Sequence, residues 1–245
     1  MIRNFRTFVV LFFALTLSGF ASAQTTFQLR YKGYALGAHA IDMDIEAQIA
    51  PTSYLFRSST RTVGLADMLA RRRVVDTATG IIGPQGLQLQ TYVHDEQHKS
   101  VTTSIQGTQR TRRVPDGSVT TTNLVDEAVG ALDVGSGILQ AAYMISQSGS
   151  CNGSFRLTDG STVGEAVSRN AGLVTLAQRG RQRFGGQALL CQISTRTLVN
   201  KPLNITNIEM WMSPMGNSGI YMPIKMNWTL EGQVVEMYLD AMSVQ

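Results

Sequence analysis

Residues 38–49 read Ala-His-Ala-Ile-Asp-Met-Asp-Ile-Glu-Ala-Gln-Ile, and their alternation predicts the fold class. Apolar side chains alternate with charged or amide side chains: Ile41, Met43, Ile45, Ala47 and Ile49 against Asp42, Asp44, Glu46 and Gln48. A period of two gives one apolar and one polar face, which is typical of a half-buried strand. The opposite orientation would bury three carboxylates without partners, so Ile41, Met43 and Ile45 are predicted to point into the core.

Similar segments, separated by turn residues, recur along most of the chain. Residues 87–94 alternate in the same way. Further segments rich in β-branched and aromatic residues are 27–36, 54–63, 101–106, 118–125, 153–158, 173–178, 188–198, 205–213, 221–230 and 234–241. Strands that follow one another directly favour antiparallel pairing over a parallel doubly wound sheet. We therefore expect a mainly β protein, built as a single curved antiparallel sheet or half-barrel.

One segment, at about residues 131–147, departs from this pattern. Its apolar residues recur near helical spacing: Ile138, Leu139, Ala142, Tyr143 and Ile145. Asp133 stands where a helix N-cap is expected. The sequence predicts one helix here, packed on the sheet or plugging it, and allows a short helical turn at residues 65–70.

The N-terminus has the pattern of an export signal. Arg3 and Arg6 precede a run of about ten mostly apolar residues at 8–17, and Ala21-Ser22-Ala23 offers a small-x-small cleavage site. We expect cleavage after Ala23, one β-rich domain over residues 24–245, and a periplasmic location. No cysteine lies near the cleavage site, so a lipoprotein is not expected, and no transmembrane span is expected after cleavage.

Charge argues against a nucleic-acid partner. The 21 Lys and Arg of the chain, less Arg3 and Arg6, leave 19 against 17 Asp and Glu, a net charge of +2 after cleavage. Nucleic-acid binding usually requires a stronger basic excess. Basic clusters at residues 71–73, 110–113 and 179–183 fit ordinary solvated strand faces. If they bind an anionic partner in an exported protein, head groups of an envelope membrane are expected rather than nucleic acid. The last two alternate at strand spacing.

Two cysteines, Cys151 and Cys191, remain in the expected mature chain. An oxidising compartment makes one disulfide between them the expected state. The chain-entropy model assigns roughly 4 kcal/mol to closing a loop of about 40 residues.

The sequence contains no specific catalytic signature. It has no G-x-S-x-G elbow and no phosphate-binding glycine loop before a helix, so no catalytic residue and no cofactor are assigned. His94 and His98 could share a metal ion only if the residues between them form a turn. These two histidines are the candidate metal ligands.

The last quarter of the chain is rich in methionine and contains both tryptophans. Thioethers beside indoles suit a core that adapts to an irregular apolar guest, and they equally suit a plain β core. The candidate ligand-binding residues are the inward set of the opening stretch and the two tryptophans: Ile41, Met43, Ile45, Trp211 and Trp228.

Short motifs between residues 26 and 241 resemble the DUF3108 family of exported bacterial proteins. They are Tyr31-x-Gly33, Gly64-Leu65, Leu132-Asp133, Cys151-x-Gly153, Asp159-Gly160, Cys191, Trp211 and Tyr221-x-Pro223-Ile224-Lys225. After Leu132-Asp133, this chain has Val134 where the family often has proline. The family has no established reaction. The resemblance therefore implies an exported location and a β-rich fold, similar in outline to periplasmic lipid-carrier half-barrels.

Three functions remain open at this point. The first is a non-enzymatic exported protein that binds an apolar or lipid-like ligand, or an envelope partner. The second is a metal-dependent or hydrolytic envelope enzyme that uses His94 and His98. The third is a structural envelope factor that binds protein through a sheet edge.

Overall fold

The computed structural model describes residues 24–159, 161–199, 205–230 and 232–245. The expected signal peptide, residues 1–23, lies outside these ranges. Among the residues that the structure describes, no helix is both long and apolar enough to cross a membrane.

Strands dominate the described chain. The first eight are β1 Thr25–Ala35, β2 Ala38–Ile49, β3 Ser53–Thr62, β4 Arg73–Gly83, β5 Gly86–Glu96, β6 Val101–Gln106, β7 Gln109–Arg113 and β8 Val119–Asn123. The other six are β9 Gly153–Thr158, β10 Val163–Leu176, β11 Gly186–Val199, β12 Ile205–Pro214, β13 Tyr221–Leu230 and β14 Gln233–Val244. The helices are α1, Gly64–Leu69, and α2, Val134–Ser148.

All fourteen strands belong to one open antiparallel sheet. Its order is β8-β7-β6-β5-β4-β3-β2-β1-β14-β13-β12-β11-β10-β9. Two meanders of successive hairpins are therefore joined where β1 pairs with β14. The prediction of a mainly β fold with a single antiparallel sheet is confirmed.

The opening stretch behaves as its alternation predicts. In β2, Ile45 stands opposite Leu29 of β1, and Met43 stands opposite Tyr31. Ile45 and Tyr31 are buried, and Met43 packs against the same core. The acidic residues of β2 lie on the other face, where Asp44 pairs with Arg30 at 3.0 Å. The period of two thus separates core from solvent along this strand.

The sheet curls around α2. Strands β8 and β9 lie at opposite edges of the sheet, and the connection between them contains α2. The helix packs against β3, β4 and β5 of one meander and also against β9 and β13 of the other. A flat sheet could not bring β5 and β13 to one helix, because five strands separate them in the sheet order.

Both ends of α2 carry capping residues, and the N-cap is the predicted one. Asp133 is the N-cap, and its side chain accepts hydrogen bonds from the N–H groups of Gly135 and Ser136. Gly149 ends the helix in the left-handed conformation, with φ of 71°, which glycine adopts without steric cost. The helix begins about three residues later than predicted, since Leu132 bridges to Leu157 of β9 instead. The short turn predicted at residues 65–70 is α1.

The disulfide prediction is also confirmed. Cys151 and Cys191 are bonded to each other, and both are fully buried. Cys151 follows the end of α2 by three residues, and Cys191 lies in β11 opposite Met210 of β12. The bond therefore ties the chain leaving the helix to the middle of the second meander.

The sequence pattern does not predict strand β4. Its central residues, Thr77-Ala-Thr-Gly80, have small side chains and no clear apolar alternation. They form a strand because β3 and β5 pair with them on either side. Here the neighbouring strands, and not local propensity, decide the conformation.

Candidate functional site

A buried polar network anchors the N-terminus of α2 to the sheet. Asp133 accepts hydrogen bonds from the N–H groups of Gly135 at 2.9 Å and Ser136 at 3.2 Å, and from Ser136 Oγ. Tyr54 of β3 donates its hydroxyl group to Ser136 Oγ at 3.0 Å. Because Asp133 and Ser136 are buried, this network fixes where α2 starts relative to β3.

Asp133 has a strongly perturbed acidity. Its complete burial raises the pKa to about 6 from 3.8, although the hydrogen bonds from Ser136 and Gly135 lower it. The folded protein therefore keeps a proton on Asp133 at a pH where the unfolded chain has lost it. A raised folded pKa contributes stability that is fully present below the unfolded pKa and is lost as the pH rises through the folded pKa.

We predict that this contribution can be isolated with Asp133→Asn, which mimics the protonated acid and remains a good N-cap. Between about pH 4 and pH 7 the wild-type protein should lose on the order of 3 kcal/mol of unfolding free energy relative to the variant. Urea unfolding of both proteins across this pH range measures the difference. A constant difference between the two proteins would contradict a raised Asp133 pKa.

An apolar crevice runs along α2 on the side that faces β2–β5. Its cavity measures about 110 Å³. The sheet contributes Ile49, Tyr54, Ile82 and Leu87, the helix contributes Leu139, Ala142, Tyr143 and Ser146, and Ile220 precedes β13. Helix and sheet thus leave a space between them that carbon atoms line.

The three hydroxyl groups in this lining already have partners elsewhere. Tyr54 donates to Ser136 Oγ, Tyr143 donates to Gly83 O at 3.1 Å, and Ser146 Oγ donates to Ala142 O at 3.0 Å. A polar ligand would therefore lose its hydrogen bonds to water without gaining good replacements. The chemistry of the crevice fits a hydrocarbon group.

A second cleft lies on the other flank of α2. It measures about 370 Å³, and its lining includes Ile145 of the helix, Leu189 of β11, Tyr221 of β13 and Leu173 of β10. Leu173 is a large apolar side chain with 69% of its surface exposed. Two clefts therefore flank the helix that the sheet encloses.

A wider groove lies elsewhere, across the outer face of β14, β1, β2 and β3. It measures about 500 Å³ and is lined mostly by polar and charged side chains. Arg30 and Asp44 form an ion pair there, with more than half of each side chain exposed. Because these charges are solvated and already paired with each other, they contribute little binding free energy to a ligand. The groove is therefore a weaker candidate site than the apolar crevice.

The five candidate ligand residues do not share one face of the sheet. In β13, Trp228 stands opposite Val235 and alternates with the outward Lys225 and Asn227, so it lies on the core side with Ile45. Trp211 lies on the outer face, where the Lys225 ammonium group is 4.6 Å from its ring centroid. Met210 and Met212 take the core positions of β12, so Trp211 stands on the opposite face of that strand from them, although it is itself buried. Ligand binding by the five candidate residues stays a prediction.

The spacing of the arginines at residues 179–183 predicts that they line a strand face, but these residues lie in the connection between β10 and β11. The Arg181 guanidinium group is 4.0 Å from the ring centroid of Tyr34, and Arg183 pairs with Asp240 at 2.9 Å. Cation–π and ionic contacts thus hold this segment as a strap over β1 and β14.

His94 belongs to a carboxylate-centred cluster on β4 and β5. Its Nδ1 atom lies 2.7 Å from Asp76 Oδ1, and the Tyr92 hydroxyl group donates to the same oxygen at 2.8 Å. The hydrogen bond to Asp76 raises the pKa of His94 against the effect of burial. The imidazole is therefore oriented by a carboxylate and held towards its charged form.

The turn between His94 and His98 places both imidazole rings near the carboxylate of Glu96. Glu96 Oε1 is 3.7 Å from His94 Nε2, and Glu96 Oε2 is 3.9 Å from His98 Nε2. Lys99 Nζ already contacts Glu96 at 2.6 Å, and this ion pair lowers the pKa of Glu96. Within the described ranges, no group of three or more His, Cys, Asp or Glu side chains is placed to hold a metal ion. Metal binding by His94 and His98 stays a prediction.

The residues of the crevice could not be found from the sequence. Tyr54 and Leu87 lie on predicted strands, and Leu139, Ala142 and Tyr143 lie on the predicted helix. Periodicity marks such residues as core-facing, but it does not say that they face one another. Only the placement of α2 against β3–β5 makes them one site.

Comparison with known proteins supports the fold. The chain is similar to the crystal structure of a β-barrel-like protein of the domain of unknown function DUF1849 from Brucella abortus, with a TM-score of 0.54 and 11% sequence identity. The match covers 92% of this chain and 100% of the other. No family model and no curated protein matches the chain, so the resemblance to DUF3108 stays a prediction.

Proposed function

We propose that the protein is a non-enzymatic exported binder of an apolar or lipid-like ligand, whose hydrocarbon part occupies the crevice between α2 and β2–β5. The observation that carries this proposal is the lining of the crevice. It presents carbon atoms, and all three of its hydroxyl groups are engaged in hydrogen bonds within the protein. Export rests on the signal pattern of residues 1–23 and on the buried disulfide.

The surrounding core can adapt to a guest larger than the crevice itself. Met212, Met215, Met222 and Met237 are almost fully buried. Met222 and Met215 lie close in the chain to Ile220, which lines the crevice. Unbranched thioether side chains change rotamer at little cost, so they suit a site that must widen around an alkyl chain.

The enzymatic alternative has weaker support. The Asp76–His94 pair is the best candidate for general acid–base chemistry, because a carboxylate orients the imidazole. Ser136 lies between Gly135 and Gly137, but this segment is not the G-x-S-x-G motif of a hydrolase. Its hydroxyl group is buried and hydrogen-bonded to Asp133 and Tyr54 at the start of α2.

Ser146 offers a direct test of the crevice. It is exposed at the crevice mouth, and its neighbour Gln147 is exposed but does not line the crevice. We expect Ser146→Trp to lower the affinity for cis-parinaric acid, a fluorescent fatty acid, at least about tenfold, because the indole occupies the ligand space. The matched variant Gln147→Trp should bind within about twofold of wild type.

Fluorescence titration of the three proteins measures these affinities, and thermal unfolding checks that both variants fold. Equal binding by the two variants would show that the fatty acid binds elsewhere. A wild-type protein that binds no fatty acid, and carries none when extracted with solvent, would overturn the proposed function.

A further inference from the structure

The two edges of the sheet differ in how their backbone groups are covered. At the β9 edge, Leu132 forms a parallel bridge with Leu157, donating its N–H to Arg156 O at 2.8 Å and accepting from Thr158 N at 2.7 Å. At the β8 edge, all five residues of Val119–Asn123 are exposed. No strand of the described ranges pairs with the outer side of β8.

The register identifies which groups of β8 are open. Val114 N bonds to Ser118 O at one end of the β7–β8 ladder, and Leu124 N bonds to Thr108 O at the other. Hydrogen-bonded pairs alternate in an antiparallel ladder, so Thr120 and Thr122 bond to β7. The N–H and C=O groups of Val119, Thr121 and Asn123 therefore point away from the sheet.

Strand β8 lacks the features that usually protect an edge. Its sequence, Val-Thr-Thr-Thr-Asn, contains no charged residue and no proline. Natural sheets commonly use charges, prolines, bulges or a covering segment to prevent strand addition. The covered β9 edge follows this practice, and the β8 edge does not.

An unbalanced positive charge lies beside this edge. Arg110, Arg112 and Arg113 occupy β7, and none of them has a carboxylate within 4.0 Å among the described residues. Arg110 and Arg112 share one face, and Arg113 lies on the other. The Nε atom of Arg110 is buried without a hydrogen-bond partner.

We propose that β8 accepts an extended acidic segment of a partner protein as an additional strand, with carboxylates on the face of Arg110 and Arg112. The added strand would lie two strand spacings, about 10 Å, from β7. Arginine and glutamate side chains together span that distance. Backbone pairing supplies affinity, and the charges supply selectivity.

Charge also decides between an acidic partner and a second copy of the chain. Pairing of β8 with β8 of another copy would place two arginine-bearing β7 strands about three strand spacings apart, or roughly 14 Å, with no carboxylate on either β8. An acidic segment neutralises this charge. The proposal goes beyond the apolar site and does not depend on it, because no residue of β7 or β8 lines the crevice.

The probe is a blocked synthetic peptide that alternates glutamate with valine or threonine, and its control carries lysine for glutamate. We expect the acidic peptide to bind, with affinity falling as salt rises, and the lysine peptide not to bind. Amide hydrogen exchange should slow at Val119, Thr121 and Asn123 when the acidic peptide is added.

Two pairs of variants separate backbone pairing from charge. Thr121→Pro removes one outward N–H without touching the β7 ladder and should weaken binding at least about tenfold, whereas Thr121→Ala keeps that N–H and should bind nearly as wild type. Arg112→Gln should weaken binding about threefold or more, and Arg113→Gln, on the opposite face, should weaken it less.

Unchanged binding by folded Thr121→Pro would overturn the proposal, as would equal binding of the lysine peptide. If the peptide fails to bind while phosphatidylglycerol vesicles bind in an Arg112-dependent way, the arginines recognise a membrane surface and the proposal is wrong. Circular dichroism checks that each variant folds, and Arg112→Gln keeps the test decisive if Thr121→Pro does not.

Discussion

Replacing Gly135 by valine is expected to lower the free energy of unfolding by about 3 kcal/mol or more. A Cβ atom at Gly135 would lie 2.2 Å from Cε1 and 2.3 Å from Cδ1 of Phe56. Phe56 is buried in β3, so its ring cannot move aside without disturbing the core. Overpacking of this kind forces side chains off their rotamers or shifts the backbone.

The neighbouring Val134 provides the control. Its side chain is 62% exposed, so Val134→Ala should change the unfolding free energy by no more than about 0.5 kcal/mol. Urea unfolding measures both variants at one pH. A Gly135→Val protein as stable as wild type would mean that α2 does not press against β3, and the crevice beside it would then be wrongly placed.

Removing the disulfide is expected to have an effect of similar size. Cys151 and Cys191 are separated by 40 residues, and the chain-entropy model gives about 4 kcal/mol for a loop of this length. The loss arises largely because the unfolded chain gains freedom. We therefore expect the double variant Cys151→Ala and Cys191→Ala to remain folded and to unfold at a lower urea concentration.

Reductant supplies the matched control for this prediction. It should lower the stability of wild type to about the level of the double variant and leave the variant unchanged. The bond joins the chain after α2 to β11, so its loss should also increase hydrogen exchange at the end of the helix. Equal stability of oxidised and reduced wild type would contradict a stabilising role.

Strands β2 and β4 show when the alternation of apolar residues predicts a strand and when it does not. In β2, every second residue from Ile41 is apolar, and this period alone predicts both the strand and its buried face. In β4 the pattern fails, because Ala78 and Gly80 are core-side positions filled by small residues. A Cβ atom at Gly80 would meet Gln88 O at 2.2 Å, so close packing with β5 selects glycine there.

Trp211 shows a second limit of sequence-based prediction, which concerns the face of a strand that points to the core. Alternation in β12 predicts that Trp211 faces away from Met210 and Met212, but it does not say which set faces the core. Composition suggests that thioethers and indoles alike suit the core, and the structure places the thioethers of Met210 and Met212 inside. Trp211 is buried on the outer face by Leu190, its cross-strand partner, and by Lys225. An aliphatic lysine stem can cover an indole, so burial alone does not mark the core.

Local patterns in the sequence predict what depends on neighbours within a few residues: the strands with clear alternation, the Asp133 cap and the helix α2. The disulfide is predicted because the expected mature chain has two cysteines. Three features emerge only when the chain folds: α2 lies inside a curled sheet, Tyr143 reaches Gly83 to close the crevice, and β9 is covered while β8 is open. These contacts join residues far apart in the chain. They depend on the curvature accumulated over fourteen twisted strands, which no single segment encodes.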